Sequence, residues 1–593
     1  MSKFLRVFGL FFLLFLPSVF AQTLSDYVLS QSGDTLVIKD DTDYGSPNTL
    51  YSVLSIDTVA PADRVYELHN GGIYSLVNTP TTSSSQRAII MGPIQTSIKL
   101  SQSTLPPPVL QGAVYQGGSS TGGINSGYDL LLKNIDIEEA NSAGGEGFGF
   151  IGGSSGARIE LDNSIVEHNL WTLFPNPGPF FRIFLKGDYF VNLDGYSCRR
   201  NGGILDFFAN EDTIWVENCT HVNTQGSNYK TRPGYNVNKI FFNHNDWIDC
   251  SGFVFMNSGA DHPNYSVTNN IFVNCQLQDF APVLESADGG EVDPDSLPMG
   301  FVNIIVDSAF NATNLIGVAG GSFYADKNLV YWDASLSNID STLNAKKVDG
   351  ETSWVSQRII MNSRTAAAFA DKKDNPKLTN GTWIQNELPK FVNTDVLFTT
   401  QLAILKTYSI ACVDTSFTGT LTSWRQASNP ESQYFDYPDW PIPINLSYTN
   451  SDLLTAGLGN FPLGDLSWFP TQYAQWSAQE NTEIANINNT LATGVITAVS
   501  KTTELPQQFK LQQNYPNPFN PSTVISYTIP KSGNVTLKVY NILGQEVATL
   551  VNGYKTAQTY SVEFDGTKLS SGVYIYEIRY NNQSLTQKMM LMK

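Results

Sequence analysis

Apolar and polar residues alternate with period two along this chain, and almost nowhere with the period of a helix. Near the C-terminus Ile525, Tyr527 and Ile529 interleave with Val524, Ser526 and Thr528, and Val535, Leu537 and Val539 interleave with Thr536, Lys538 and Tyr540. Broken by Ser532-Gly533-Asn534, Gly544, Gly553 and Gly572, this alternation predicts a small antiparallel sandwich. Pro516, Pro518 and Pro521 lack amide hydrogens and keep a regular ladder out of its lead-in. Upstream the β-rich runs are shorter. Asp34–Ile38, Val65–Leu68, Gly72–Val77, Lys239–Phe242 and Tyr265–Val267 are examples, and the chain reads as all-β.

The short runs recur. Asn134, Asn163, Asn218, Asn245, Asn270, Asn303 and Asn328 each sit between two of them, with Leu193-Asp194-Gly195 as a degenerate member, at intervals of 24 to 33 residues. One such unit cannot bury its apolar face alone, so neighbours must stack around a shared core. Asparagine suits the bend, because it tolerates a left-handed backbone and its amide can bond to the asparagine of the next unit. A sandwich also uses Asn at turns, but would not keep one motif over eight units. The expectation is a right-handed parallel β-helix solenoid, followed by a small C-terminal immunoglobulin-like β-sandwich. Its coil pattern resembles the pectate-lyase-like superfamily. That resemblance covers lyases, hydrolases, esterases, adhesins and noncatalytic surface proteins, so it carries a fold and no activity.

The tail is more specific. Tyr515-Pro516-Asn517-Pro518-Phe519-Asn520-Pro521, the Tyr540–Gly544 turn with its Gly544, the strand start Gly572-Val573-Tyr574 and a late Lys588 occur in order over about the last 85 residues. This resembles the type A C-terminal sorting domain of cargo for the type IX secretion system of Gram-negative bacteria. An immunoglobulin-like spacer would have the same sheet pattern; the motifs and their terminal position favour sorting. At the other end Lys3 and Arg6 precede the apolar run Val7–Leu16, and Pro17-Ser18-Val19-Phe20-Ala21 follows, as in a signal peptide cleaved before Gln22. The expected divisions are a signal peptide (1–21), the β-helix (22–334), an irregular β-rich closure of its C-terminal end (335–488), a linker (489–505) and the sorting domain (506–593). The implied location is the medium or the outer cell surface, with attachment through processing of the tail and the secretion machinery as partner.

Charge divides the chain in the same way. Residues 22–505 carry 25 Lys and Arg against 50 Asp and Glu, whereas the tail from Pro506 is net positive. So acidic a passenger repels nucleic acid and polyanionic glycans. The five cysteines, Cys198, Cys219, Cys250, Cys275 and Cys412, are an odd number, which argues against a full disulfide framework. Cys250 and Cys275 fall at equivalent repeat positions; stacked buried thiols are expected there, with a single disulfide as the alternative.

Candidate chemistry is sparse. A polyuronate lyase needs a Lys or Arg base and a cationic partner for the substrate carboxylate. Arg199, Arg200, Lys230 and Arg232, with His221 and His244, form the only dense basic cluster, and exposed bases at turns are its plainer reading. A glycosidase needs two carboxylates at a set separation; Asp206 with Glu211 or Asp212 is one of many pairs a solenoid brings close by chance. Asp288, Glu291, Asp293 and Asp295 lie on a glycine-containing acidic insertion that offers hard oxygen ligands to Ca²⁺, without an EF-hand pattern. Trp171, Phe174, Phe180 and Phe181 sit on a proline-rich insertion and are expected either to stack on sugar rings or to cover a flank of the solenoid. The leading expectation is a noncatalytic surface protein recognising extracellular polysaccharide or another surface partner. The alternative is a secreted polysaccharide lyase or hydrolase.

Overall fold

A computed structural model describes residues 23–592, apart from 113–122, 139–148, 194–202, 258–263, 277–299, 303–320, 337–357, 414–439 and 497–508 and gaps of three residues or fewer elsewhere. The proposed signal peptide lies outside the described residues. The fold is mostly strands with few helices, and its passenger is organised by two long sheets. The twelve-stranded sheet runs from Val28–Ser32 to Leu378–Asn380, and the ten-stranded sheet from Ile73–Leu76 to Trp383–Gln385. After an initial antiparallel hairpin, each strand of these sheets pairs in parallel with the strand one pass later. The chain therefore alternates between the two sheets, and each pass lies on the last. A third, three-stranded parallel sheet of Leu205–Phe207, Tyr229–Thr231 and Phe255–Asn257 stacks beside them.

The bends between sheets explain the repeat. Asn134, Asn163, Asn218, His244, Asn269 and Lys327 all have positive φ, between 51° and 61°, at the corner leaving the twelve-stranded sheet. One position later stands a buried ladder: Asn245 Nδ2 donates to Asn270 Oδ1 (3.0 Å) and Asn270 Nδ2 to Asn328 Oδ1 (3.1 Å). A second corner, after the ten-stranded sheet, uses His168, Asn192, Asn223, Asp249 and Asn274, again at positive φ. Only short side chains that bond locally tolerate this backbone well, hence the Asn and Asp bias.

Inward side chains form one core, with Ile159, Leu161, Ile183, Leu185, Ile214, Val216, Ile240 and Phe242 from the larger sheet. From the ten-stranded sheet come Phe190, His221, Trp247 and Phe272, stacked with ring centroids 4.9, 4.7 and 5.0 Å apart. Cys219, Cys250 and Cys275 are buried free thiols in this core. Cys198 and the side chain of Cys412 lie outside the described residues.

Several expected boundaries differ. The bend between the strands Arg182–Lys186 and Tyr189–Val191 is Gly187-Asp188, with Gly187 at φ 71°, rather than Leu193-Asp194-Gly195. The strand Asn264–Thr268 pairs directly with Ser322–Asp326, and the expected bend at Asn303 lies outside the described residues. The parallel stack also continues past residue 334, through Leu378–Asn380 and Trp383–Gln385. Ile124–Ser126 and Ile151–Gly153 form a further small parallel pair.

The region expected to be an irregular β-rich end closure is partly helical, with helices at Ser363–Asp371, Leu402–Val413 and Pro470–Ser477. Much of it lies along the outer face of the ten-stranded sheet. Leu397, Ile444, Leu446, Tyr448, Leu453, Leu463 and Trp468 pack there against Ile165, Tyr189, Val222, Ile248, Ile271 and Leu329. The expected linker begins inside a fourteen-residue helix, Glu480–Thr493. Ile484, Ile487 and Leu491 lie on one side of that helix and pack on Trp215, Phe241 and Tyr324 of the twelve-stranded sheet.

In the tail, Ser522–Ile529 pairs antiparallel with Lys510–Leu511 and Gln558–Asp565, and a four-stranded antiparallel sheet is centred on Gly533–Asn541 and Gly572–Tyr580. Ile525, Tyr527, Ile529, Val535, Leu537 and Val539 are all buried in its separate core, the face that the alternation predicts.

Candidate functional site

The outer face of the twelve-stranded sheet carries a stripe of aromatic and charged side chains, because strand geometry turns every second residue outward. Phe184, Trp215 and Phe241 stack across three strands, with centroids 6.0 and 3.7 Å apart. The Arg158 guanidinium lies 3.5 Å over Phe184, and Lys239 Nζ lies 4.9 Å over Trp215. Lys186 reaches Glu480 (3.3 Å) and Glu217 (3.7 Å). Glu217 accepts from Trp215 Nε1 (3.0 Å) and Asn243 Nδ2 (3.1 Å). Burial pushes the Glu217 carboxyl up to about 7, against the opposing pull of Lys186. Burial also works against the Lys186 ammonium, yet Glu217 and Glu480 leave it above the ordinary lysine range.

The helix Glu480–Thr493 seals the far end of this stripe. Glu483 Oε1 accepts from Asn243 Nδ2 (2.9 Å) and lies 3.2 Å from His244 Nε2, while the Trp476 ring meets the His244 ring edge-on. A second polar seam fastens the segment over the ten-stranded sheet. There Lys99 pairs with Asp465, which also accepts from Thr220 Oγ1 (2.7 Å) and Ser467 Oγ (2.6 Å). These are paired, enclosed groups that anchor covering segments. No open nucleophile stands among them.

The basic cluster proposed for lyase chemistry does not present an exposed face among the described residues. Lys230 is buried on the third sheet, in register with Asp206 and Met256. His221 belongs to the core stack, its Nε2 2.8 Å from the Tyr229 hydroxyl, and burial depresses its pKa to about 3. His244 lies under the helices, with Nδ1 3.3 Å from the Gly464 carbonyl. Arg199, Arg200 and Arg232 lie outside the described residues, as do Trp171 and the acidic insertion with Asp288, Glu291, Asp293 and Asp295.

The carboxylate pairs fare similarly. Asp206 and Glu211 are both buried, and Glu211 accepts the Phe181 amide (2.7 Å) while Asp212 accepts from Asn238 Nδ2 (3.1 Å). Burial raises Glu211 to about 9. In the aromatic insertion Phe174 and Phe181 are fully buried core residues rather than ligand-facing ones, because the segment rejoins the stacked strands at both positions. Phe180 is 53 % exposed and immediately precedes the strand that carries Arg182 and the half-buried Phe184.

Sequence reasoning missed one cluster. Asp136 and Glu138, and Glu167 on the next pass, share the outer face of the ten-stranded sheet, with His168 at the following corner. All four are buried. His168 Nδ1 lies 2.8 Å from Glu138 Oε2 and 3.5 Å from Glu167 Oε2. Its signal was a pair of acids at equivalent repeat positions, visible once the register is known.

The motif residues of the tail hold its two ends together. Phe519 is buried against Phe564, and its backbone bonds to Met590 and Met592. Asn517 Oδ1 accepts the Met590 amide (2.9 Å), and the Pro516 carbonyl accepts from Asn514 and Thr523. Gly544 closes the Asn541 turn at φ 76°, where Asn541 Oδ1 takes the amides of Leu543 and Gln545. Tyr574 donates to the Ser570 carbonyl, and Lys588 is exposed. Gly572 opens the strand Gly572–Tyr580, Pro521 accepts the Gly566 amide, Asn520 is exposed, and Tyr515 lies outside the described residues. No curated protein and no solved structure matches the chain. Residues 513–592 match the secretion system C-terminal sorting domain, a tail that marks an exported protein for handling by the type IX secretion machinery.

Proposed function

We propose that this chain is a right-handed parallel β-helix delivered to the cell surface or the medium through its sorting tail, where the solenoid binds a glycan or surface partner without cleaving it. The passenger would run from Gln22 and the immunoglobulin-like tail from Pro506. The sorting-domain match carries the delivery half of this reading. The binding half rests on Phe180, which is exposed just before the strand that begins with the partly exposed Arg182. Flat apolar rings beside hydrogen-bond donors suit sugar faces. The acidic passenger favours neutral over polyanionic glycans. The chain's own segment around Leu446–Leu463 occupies the outer face of the ten-stranded sheet, and the helix Glu480–Thr493 packs on Trp215, Phe241 and Tyr324 of the other, so recognition would fall to the part of that sheet near Phe180.

The test is retention of the full chain on neutral and acidic polysaccharides, with reducing ends and unsaturated uronates followed in the same samples. Retention on a neutral glycan, weakened at least several-fold by Phe180→Ala and Arg182→Ala, is the expected result. Release of product from any substrate would replace the binding reading with an enzymatic one. Retention that neither substitution alters would move the site elsewhere.

A further inference from the structure

We propose that Asp136, Glu138, Glu167 and His168 form a binding site for one divalent transition-metal ion on the outer face of the ten-stranded sheet. Parallel register places Glu138 directly beside Glu167, and the corner after Glu167 turns His168 toward both. One donor atom from each of these three residues lies within 4.8 Å of the other two, a spacing that modest rotamer movement closes around a cation. Metal–ligand bonds of about 2.0–2.2 Å suit nitrogen and carboxylate donors grouped in this way.

Asp136 supplies the independent observation. It lies two residues before Glu138 on the same strand and so on the same outer face, and it is completely buried. Neither oxygen of its carboxyl has a hydrogen-bond partner among the described residues. The charges acting on it come from Glu167, Glu138 and His168, two of them carboxylates. A buried carboxyl with no donor and acidic neighbours is costly as an anion. A dication would offset that cost.

Three carboxylates with one imidazole favour a borderline ion such as Zn²⁺ or Mn²⁺ over Ca²⁺, which prefers oxygen alone. Enclosed and without an open approach to a nucleophile, the ion would tie two consecutive passes together. The site is independent of glycan binding at Phe180.

The full chain, stripped with chelator and dialysed against ZnCl₂, MnCl₂ or CaCl₂ in turn, should retain about one equivalent of Zn²⁺ or Mn²⁺ by elemental analysis. The loaded chain should melt at a higher temperature than the stripped one. His168→Asn keeps a residue suited to the left-handed corner, as Asn192 and Asn223 are at the same corner of later passes. It should fold and retain at least tenfold less metal. Asp136→Asn should do the same. Failure of the stripped wild-type chain to retain any of the three ions overturns the proposal. So does retention that both substitutions leave unchanged.

Discussion

Replacing Asn270 by alanine tests whether the asparagine ladder holds the passes together. Its side chain is fully buried. Its Oδ1 accepts from the Asn245 amide (3.0 Å) and Asn245 Nδ2 (3.0 Å), and its Nδ2 donates to Asn328 Oδ1 (3.1 Å) and the Phe242 carbonyl (3.2 Å). Each such bond is worth about 1 kcal/mol net, and a buried group left without a partner costs about 1–3 kcal/mol. Three of the bonds are lost at about 1 kcal/mol each and the fourth leaves the Asn245 amide orphaned, so Asn270→Ala should destabilise the stacked passes by about 4–6 kcal/mol. Asn264 is the control. It also makes two side-chain bonds, to the Asn238 carbonyl and Ser322 Oγ, but it is exposed and water can replace them. Asn264→Ala should cost less than about 1 kcal/mol. Denaturant unfolding of the full chain, followed by tryptophan fluorescence, reads both, since Trp247 sits in the same core between His221 and Phe272. A loss below about 1 kcal/mol for Asn270→Ala, or equal losses for the two variants, would refute the reasoning.

His221 predicts a pH dependence. Its folded pKa of about 3 lies below the ordinary 6.5, so under pH 6.5 the unfolded chain takes up a proton that the folded chain refuses. Its contribution to stability therefore falls as pH drops from 6.5 toward 3, by up to about 5 kcal/mol. His221→Phe preserves the stack with Phe190 and Trp247 and should flatten the wild-type slope of stability over that window; an unchanged slope would count against the buried imidazole. Cys219, Cys250 and Cys275 should resist thiol reagents in the native chain and react on unfolding, as peptide mass mapping reads. A Cys250–Cys275 disulfide in the secreted protein would contradict this.

Stacked passes were legible because their corners need rare backbone geometry. Asn134, Asn163 and Asn218 advertise a left-handed bend that few other residues tolerate. Where the same corner is built by Gly187 or Lys327, the residue type says less, and the pass at Gly187-Asp188 was assigned a few residues late. The helix Glu480–Thr493 was hidden because Ile484, Ile487 and Leu491 are diluted among polar residues; its apolar side is set by Trp215 and Phe241 rather than by its own composition. Phe174 and Phe181 resembled ligand-facing aromatics because proline-rich sequence does not tell a loop from a corner. The Asp136–His168 cluster depends on register across two passes, which no local pattern supplies. The tail needed no register at all, because its motifs lie in sequence order.

The most direct test of the account is where the chain goes when residues 513–592 are deleted in a host that carries type IX secretion. Immunoblots of periplasm, cell surface and medium should find the intact chain outside the outer membrane and the truncated chain, still folded, held in the periplasm. Export of the truncated chain at wild-type levels would contradict the assignment of its tail.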